Sequence, residues 1–197
     1  MVIKLAETNL ETLFGTFTEV LYYNGQKEFI ALYQGDIAYN ENVLCRVHSS
    51  CLSAHVFNST QCDCREQFAA AQHEIQKVGK GIIIWMDHEG KSNGHFALMK
   101  STLLKDQGIY QTDAYEALGF QKDARDFTPA AEILSDLKVK SIILMTNNPN
   151  KVKTLTEHGI TISGTQPLII EPDPQNTRLK HALLGKMKVG HQIHLHQ

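Results

Sequence analysis

The sequence predicts a mixed α/β (α+β) fold in a single compact domain: a mixed sheet with early antiparallel strands and helices packed on it. Three observations predict it. Two apolar, β-rich runs come early with no helical pattern between them, "EFIALYQG" and "VLCRVHS". After them, apolar strand-like runs alternate with segments of 3.6-residue period. No linker, repeat or low-complexity block divides the chain, and 197 residues at 42% hydrophobic content can bury one substantial core, or two small ones at most.

The elements follow in order. "EFIALYQG" (28–35) and "VLCRVHS" (43–49) are short and rich in aromatic and β-branched residues, as strands are. "REQFAAAQHEIQKVG" (65–79) is a helix with Phe68, Gln72, Ile75 and Val78 near one face and Gly79 as its stop. The strand "GIIIWMD" follows, then helices over "HFALMKSTLLKDQG" and "TPAAEILSDL", a buried strand "SIILMT", a helix over "NPNKVKTLTEHG" and a short strand "PLII". One domain is expected over residues 1–197, with the last few residues, the His-rich "GHQIHLHQ", a disordered polar tail.

Lys+Arg number 19 and Asp+Glu 21, so bulk charge calls for neither a nucleic-acid polymer nor an anionic membrane. Any anion must be met locally. The N-terminus has no signal-like apolar stretch, and no window approaches the ~18 apolar residues of a membrane span. A soluble, cytoplasmic protein is expected. In a reducing compartment, clustered cysteines are metal ligands or reactive groups more often than disulfides.

Three of the four cysteines lie within "CLSAHVFNSTQCDC". Cys62 and Cys64 can turn toward one point from a tight loop, with Cys51 eleven positions before Cys62. Three thiolates fill three tetrahedral positions on zinc and leave the fourth for water, whose pKa falls toward ~7. A structural zinc completed by His48 or His55, or plainly buried thiols, are the alternatives. Cys45 alternates into a strand and reads as core. Three further segments offer chemistry. In "MTNNPNKV" a strand ends at Thr146 and a helix begins at Pro149, an anion site if Lys151 joins it and otherwise an ordinary capped helix start with a solvated lysine. In "KDARDFTPAAE" Asp123 and Arg125 precede a helix with Thr128 as its expected N-cap; they form either a surface ion pair or a base beside a guanidinium. "MDHEGKSNGHF" offers Glu89, Gly90 and Lys91 where a strand exits, as ligand loops in α/β sheets do.

In this order and spacing the segments resemble GTP cyclohydrolase II, the family that opens the purine ring of GTP at the start of riboflavin synthesis. The resemblance runs through "RVHSSC", "CDCREQ", "EGK", "KDQG", "LGFQKDARDFT", "TNNPNKV" and "KMKVGH". It implies Zn²⁺ on Cys51, Cys62 and Cys64, one per chain, with Mg²⁺ accompanying the nucleotide triphosphate. It also implies Asp123 as proton acceptor and Arg125 in the family's nucleophile position, where a guanidinium serves better by stabilising charge. Substrate contacts map onto Arg46, Val47, His48, Ser49, Ser50, Gln67, Glu89, Gly90, Lys91, Gln111, Thr146 and Lys151. The reaction implied is hydrolytic opening of the imidazole ring of a guanine nucleotide, GTP first, with release of formate and pyrophosphate by a homodimer.

The chain also departs from the family pattern. Ser50 stands where the family has Glu, Lys91 where it has Arg, Arg65 where it has Gly, and Gln111 where it has a ligand-contacting Thr. Exchanging Arg for Lys removes a planar, two-toothed donor, and Glu to Ser removes a charge. Two other readings follow: a divergent paralogue acting on another purine nucleotide or stopping at the formylated ring-opened product, or a non-catalytic nucleotide-binding protein stabilised by zinc.

Overall fold

The computed structural model describes residues 1–168, 170, 176–188 and 190–191. Its strands form one seven-stranded mixed sheet: β1 (Ile3–Thr12), β2 (Gly15–Tyr23), β3 (Glu28–Gln34), β4 (Val43–Ser49), β5 (Gly81–Met86), β6 (Ile142–Met145) and β7 (Ile162–Gln166). The order across the sheet is β1-β2-β3-β5-β4-β6-β7. The β1-β2, β2-β3 and β3-β5 pairs are antiparallel, whereas β4-β6 and β6-β7 are parallel. The expected mixed α/β class is therefore present. Its helices are α1 (Leu52–His55), α2 (Cys64–Val78), α3 (Gly94–Lys105), α4 (Gln111–Ala117), α5 (Thr128–Asp136), α6 (Pro149–Glu157) and α7 (Thr177–Lys188).

The chain folds into two compact units that alternate along the sequence. The first comprises Met1–His48, Phe68–Asp87 and Asp126–Leu168 and holds the sheet. Side chains alternate across its two faces, as the period of two requires. Ala31, Cys45, Val47, Ile82, Ile84 and Met86 share a core with Ala130, Ile133 and Leu134 of α5 and Leu155 of α6. Leu32, Leu44 and Ile83 face the other way and meet Ala71 and Ile75 of α2. Burying each of Ile82, Ile83 and Ile84 contributes about 1.5–3 kcal/mol. The close approach of α2 requires Gly81: a Cβ there would lie 2.7 Å from Ile75 Cγ1 and 2.8 Å from Leu44 O. Val78, expected on the buried face of this helix, is exposed at its C-terminal end.

The second unit comprises Ser49–Gln67, His88–Arg125 and the described residues from 170 onward. It is built from short helices, and Ala54, Ala97, Ala114, Tyr115, Leu179 and Leu183 are buried within it.

Three local expectations shift. The last strand is Ile162–Gln166, just before "PLII", whose Leu168 instead buries its side chain and donates its backbone N–H to Asn147; Ile169 lies outside the described residues. Thr128 is the first residue of α5, and the carboxylate of Asp126 accepts from both its N–H and its hydroxyl. Most of the expected polar tail, residues 192–197, lies outside the described residues. Among the described residues no helix is long and apolar enough to cross a membrane.

Candidate metal centre and nucleotide site

Cys51 precedes α1, and Cys62 and Cys64 bracket Asp63 at the start of α2. Their sulfurs all lie within 4.8 Å of one another, and Cys51 Sγ is 3.8 Å from Cys62 Sγ. Tetrahedral bonds of about 2.3 Å to zinc place neighbouring sulfurs roughly 3.8 Å apart, so the spacing fits. The electrostatics point the same way. Hydrogen bonds from Cys51 and then Cys64 pull Cys62 far below an ordinary thiol, while the same sharing pushes Cys51 and Cys64 up. A divalent cation is the charge that lets all three ionise together. His55, a candidate fourth ligand, turns its Nδ1 to Cys51 O at 2.7 Å. Cys45 is fully buried as expected, its thiol pushed up to about 12 by burial.

The same unit holds the Asp123–Arg125 pair. Arg125 grips Asp123 with both arms of its fork, Nε to Oδ1 at 2.8 Å and Nη2 to Oδ2 at 2.5 Å, and its Nη1 reaches Ser49 Oγ at 3.3 Å. Burial raises the Asp123 carboxyl, but the hydrogen bonds and charge of Arg125, with the charge of Lys91, outweigh it and hold it below the usual carboxylate range. Both groups are substantially covered, with side-chain exposures of 11% for Arg125 and 32% for Asp123, so this is no freely solvated pair.

The loop after β5 is strained. Gly90, Lys91 and Ser92 have φ of 58°, 55° and 65°, a left-handed run costing roughly 1–2 kcal/mol at each non-glycine residue. Lys91 O accepts from Ala124 N at 3.1 Å, tying this loop to the Asp123–Arg125 segment. Burial, and then the neighbouring Arg125, lower the Lys91 ammonium to about 8. Glu89 serves the scaffold: its Oε2 accepts from Leu52 N at 2.7 Å at the start of α1, and Oε1 meets His95 Nδ1 at 3.1 Å. Ser50 Oγ accepts from His88 N at 2.9 Å, Gln67 Nε2 donates to Asp63 Oδ2 at 2.6 Å, and Gln111 Nε2 donates to the Tyr115 hydroxyl at 2.8 Å.

The remaining sequence-derived contacts lie in the sheet unit. Lys151 is buried, neither solvated nor turned outward; its Nζ donates to Val47 O at 2.7 Å and lies 5.4 Å above the Phe127 ring. Asn148 caps α6 by accepting from Asn150 N, and Thr146 Oγ1 accepts from Asn148 N, so this helix start is an internally capped one. Arg46 is buried with Nη1 on Met145 O at 2.8 Å, Val47 is buried, and His48 stacks on Trp85 at 5.5 Å.

The GTP cyclohydrolase II family pattern matches residues 3–167 of the chain. The chain belongs to the GTP cyclohydrolase II family. Hydrolysis acting on GTP is what the family is named for. Among its relatives, the chain is 38% identical over 197 residues to the riboflavin biosynthesis protein RibBA of Bacillus subtilis (strain 168), covering 98% of this chain and 49% of that protein. It is 38% identical over 195 residues to RibBA of Chlorobium phaeovibrioides, covering 98% and 47% respectively. The chain therefore spans about half the length of the curated relatives it matches. A solved structure, RibBX, a two-domain 3,4-dihydroxy-2-butanone 4-phosphate synthase from A. baumannii, is similar at TM-score 0.50 and 16% identity, over 84% of this chain and 40% of that one. That likeness concerns the fold alone.

Sequence reasoning missed Asp63, Lys186 and Tyr115. Lys186 stands in the "KMKVGH" segment that already matched the family, and Asp63 between two cysteines already under suspicion; neither carries a pattern announcing that the two would meet.

Proposed function

We propose that this family member opens the imidazole ring of a guanine nucleotide, GTP first, by zinc-dependent hydrolysis, releasing formate and pyrophosphate in the service of riboflavin synthesis. The observation that supports it most is the sulfur triangle at zinc spacing, in the same compact unit as a covered carboxylate–guanidinium fork. Cys51, Cys62 and Cys64 would hold the zinc, which when bound supplies an electrophile that activates water. Arg125 has a further donor directed at Ser49 and stabilises negative charge as it develops on the phosphates. Asp123, kept ionised, accepts protons from the reacting centre. Lys91 adds a second cation beside them. Mg²⁺ would accompany the triphosphate, and a homodimer in the cytoplasm is the assembly the resemblance implies.

Ser50 and Lys91 favour a second reading at the level of selectivity. A hydroxyl committed to His88 N replaces a carboxylate, and a point charge replaces a fork. The deciding experiment incubates the zinc-loaded protein with a panel of purine nucleotides and reads formate, pyrophosphate and ring-opened product separately. GTP turned over with discrimination relaxed against other guanine nucleotides is the expected result. Formate-free ring opening would assign the shorter reaction, and no turnover of any purine nucleotide would overturn the enzymatic reading.

Lys91 gives this site a pH signature. Its ammonium is charged below pH about 8 and lost above it. If it binds phosphate, kcat/KM for GTP falls on the alkaline side with a limb near that value, because kcat/KM reports the free enzyme. Lys91→Arg keeps its charge to a pKa above ~12, so the alkaline limb should disappear. An unchanged limb in Lys91→Arg would assign it to another group.

A further inference from the structure

Asp63 lies between two of the three cysteines, yet it does not face solvent. Its side chain is 4% exposed and carries two short hydrogen bonds, from Gln67 Nε2 to Oδ2 at 2.6 Å and from Lys186 Nζ to Oδ1 at 2.6 Å. Lys186 comes from α7, 123 residues away in sequence. That helix is fastened at several points to the unit that carries the cysteines. At its start the Asn176 side chain donates to Thr60 O at 2.6 Å and accepts from Leu179 N at 2.9 Å. Further along, His181 stacks on Tyr110 at 4.8 Å with ring planes 6° apart, and Lys188 Nζ lies 4.2 Å from the same ring centroid. Gly185 lets the helix come this close, since a Cβ there would sit 2.6 Å from Tyr110 Cδ1.

Charge gives the arrangement its purpose. Three thiolates around one Zn²⁺ leave a net charge of minus one, and Asp63 adds another beside it. Covered charge of one sign is costly without a counter-charge. Lys186 supplies that counter-charge directly, its Nζ donating to Asp63 Oδ1 at 2.6 Å. With Asp63 covered and Lys186 31% exposed, each fixed by its own helix or loop, the pair orients what it touches more firmly than one between two freely solvated side chains.

We propose that α7 is a latch on the metal loop, in which Lys186 is a positioning residue acting through Asp63 to set Cys62 and Cys64 for metal binding. This rests on the reading of the three cysteines as a zinc site. Outer partners of metal ligands typically change affinity by about 10–100-fold when removed. The latch also makes the far end of the chain a determinant of metal retention, although it supplies no ligand.

The test uses the full chain and Zn²⁺ or Co²⁺ alone as probes. Zinc affinity is measured by chelator competition, and the thiolate-to-cobalt absorption band is recorded for the parent, Lys186→Met, Lys186→Arg and Asp63→Asn. Lys186→Met and Asp63→Asn should each weaken zinc by about tenfold or more and shift the cobalt band, and their combination should add little. Lys186→Arg should restore affinity to within a few-fold, which a merely space-filling role would not produce. If Lys186→Met does not fold, Asp63→Asn carries the same expectation alone. A Lys186→Met or Asp63→Asn protein that binds zinc within twofold of the parent, with an unaltered cobalt band, overturns the latch while leaving the zinc site standing. A parent chain that binds neither metal overturns the zinc reading and the latch with it.

Discussion

Cys62→Ser is expected to leave the protein without stoichiometric zinc and with GTP turnover reduced by roughly a thousandfold or more, since activation of water depends on the metal. Cys62 is the position at which the effect should be greatest. Its sulfur lies 3.8 Å from Cys51 Sγ, and its two cysteine neighbours pull it furthest toward the thiolate, so it is the sulfur around which the triangle is organised. A serine hydroxyl does not ionise near neutral pH, and two remaining thiolates make an incomplete site with weak hold on the cation. Cys45→Ser is the matched control. That thiol is fully buried in the sheet core and held protonated, so its replacement should lower stability while leaving the metal content at one per chain. Metal analysis of the purified proteins by mass spectrometry, beside formate release, checks both. A Cys62→Ser protein retaining zinc and full rate would remove the cysteine triangle from the mechanism.

The elements legible in the sequence were those whose burial pattern is strong and local. "GIIIWM" and "SIILMT" are buried strands, and "REQFAAAQHEIQKV" is a helix that Gly79 ends. Strand β1 is hard to read for a physical reason, being a sheet edge with almost uniform exposure and no buried stripe, whereas β2 does carry one in Phe17, Val20 and Tyr22, which went unread in the sequence. Helix α4 was missed because "QTDAYEA" is short and polar, and α7 because Gly185 interrupts a sequence whose fit depends on Tyr110, far away in the chain. The site divides in the same way. The cysteine spacing points to a metal centre, whereas Lys151 reads in sequence either as part of an anion site or as a solvated lysine, and its burial against a carbonyl 104 residues distant is not visible there. Asp63 and Lys186 each look ordinary in sequence; only their meeting gives them a role.

That division bears on how the departures Ser50 and Lys91 are understood. Both residues are held by local geometry that does not require the family's side chain: Ser50 by its bond to His88 N, and Lys91 by a left-handed backbone whose carbonyl binds Ala124 N. The altered side chains are thus accommodated without disturbing the fork at Asp123 and Arg125. Selectivity and chemistry can vary separately when they are carried by different groups.

The sharpest examination of that chemistry is at the fork itself. Asp123→Asn should lower kcat by about 10²–10⁴-fold with KM changed only a few-fold, since it removes a proton acceptor while preserving shape. Arg125→Ala should cost about 10²–10³-fold, the scale of one charge-stabilising donor, and Arg125→Lys should recover only part of it because the planar fork is lost. The pH profile separates the two residues further. Asp123 is held below the ordinary aspartate value of roughly 3.9, so the parent should keep its Asp123-dependent rate down through that range and lose it only at still lower pH. In Arg125→Ala the restraining hydrogen bonds and charge are gone, while burial still favours the neutral acid; the acidic limb of kcat/KM must then move upward. Arg125→Lys should place it between the two. An acidic limb that stays put when Arg125 is removed would show that Asp123 is not the group whose ionisation the reaction needs, and a loss in Asp123→Asn confined to KM would make the fork a nucleotide clamp with proton transfer assigned elsewhere.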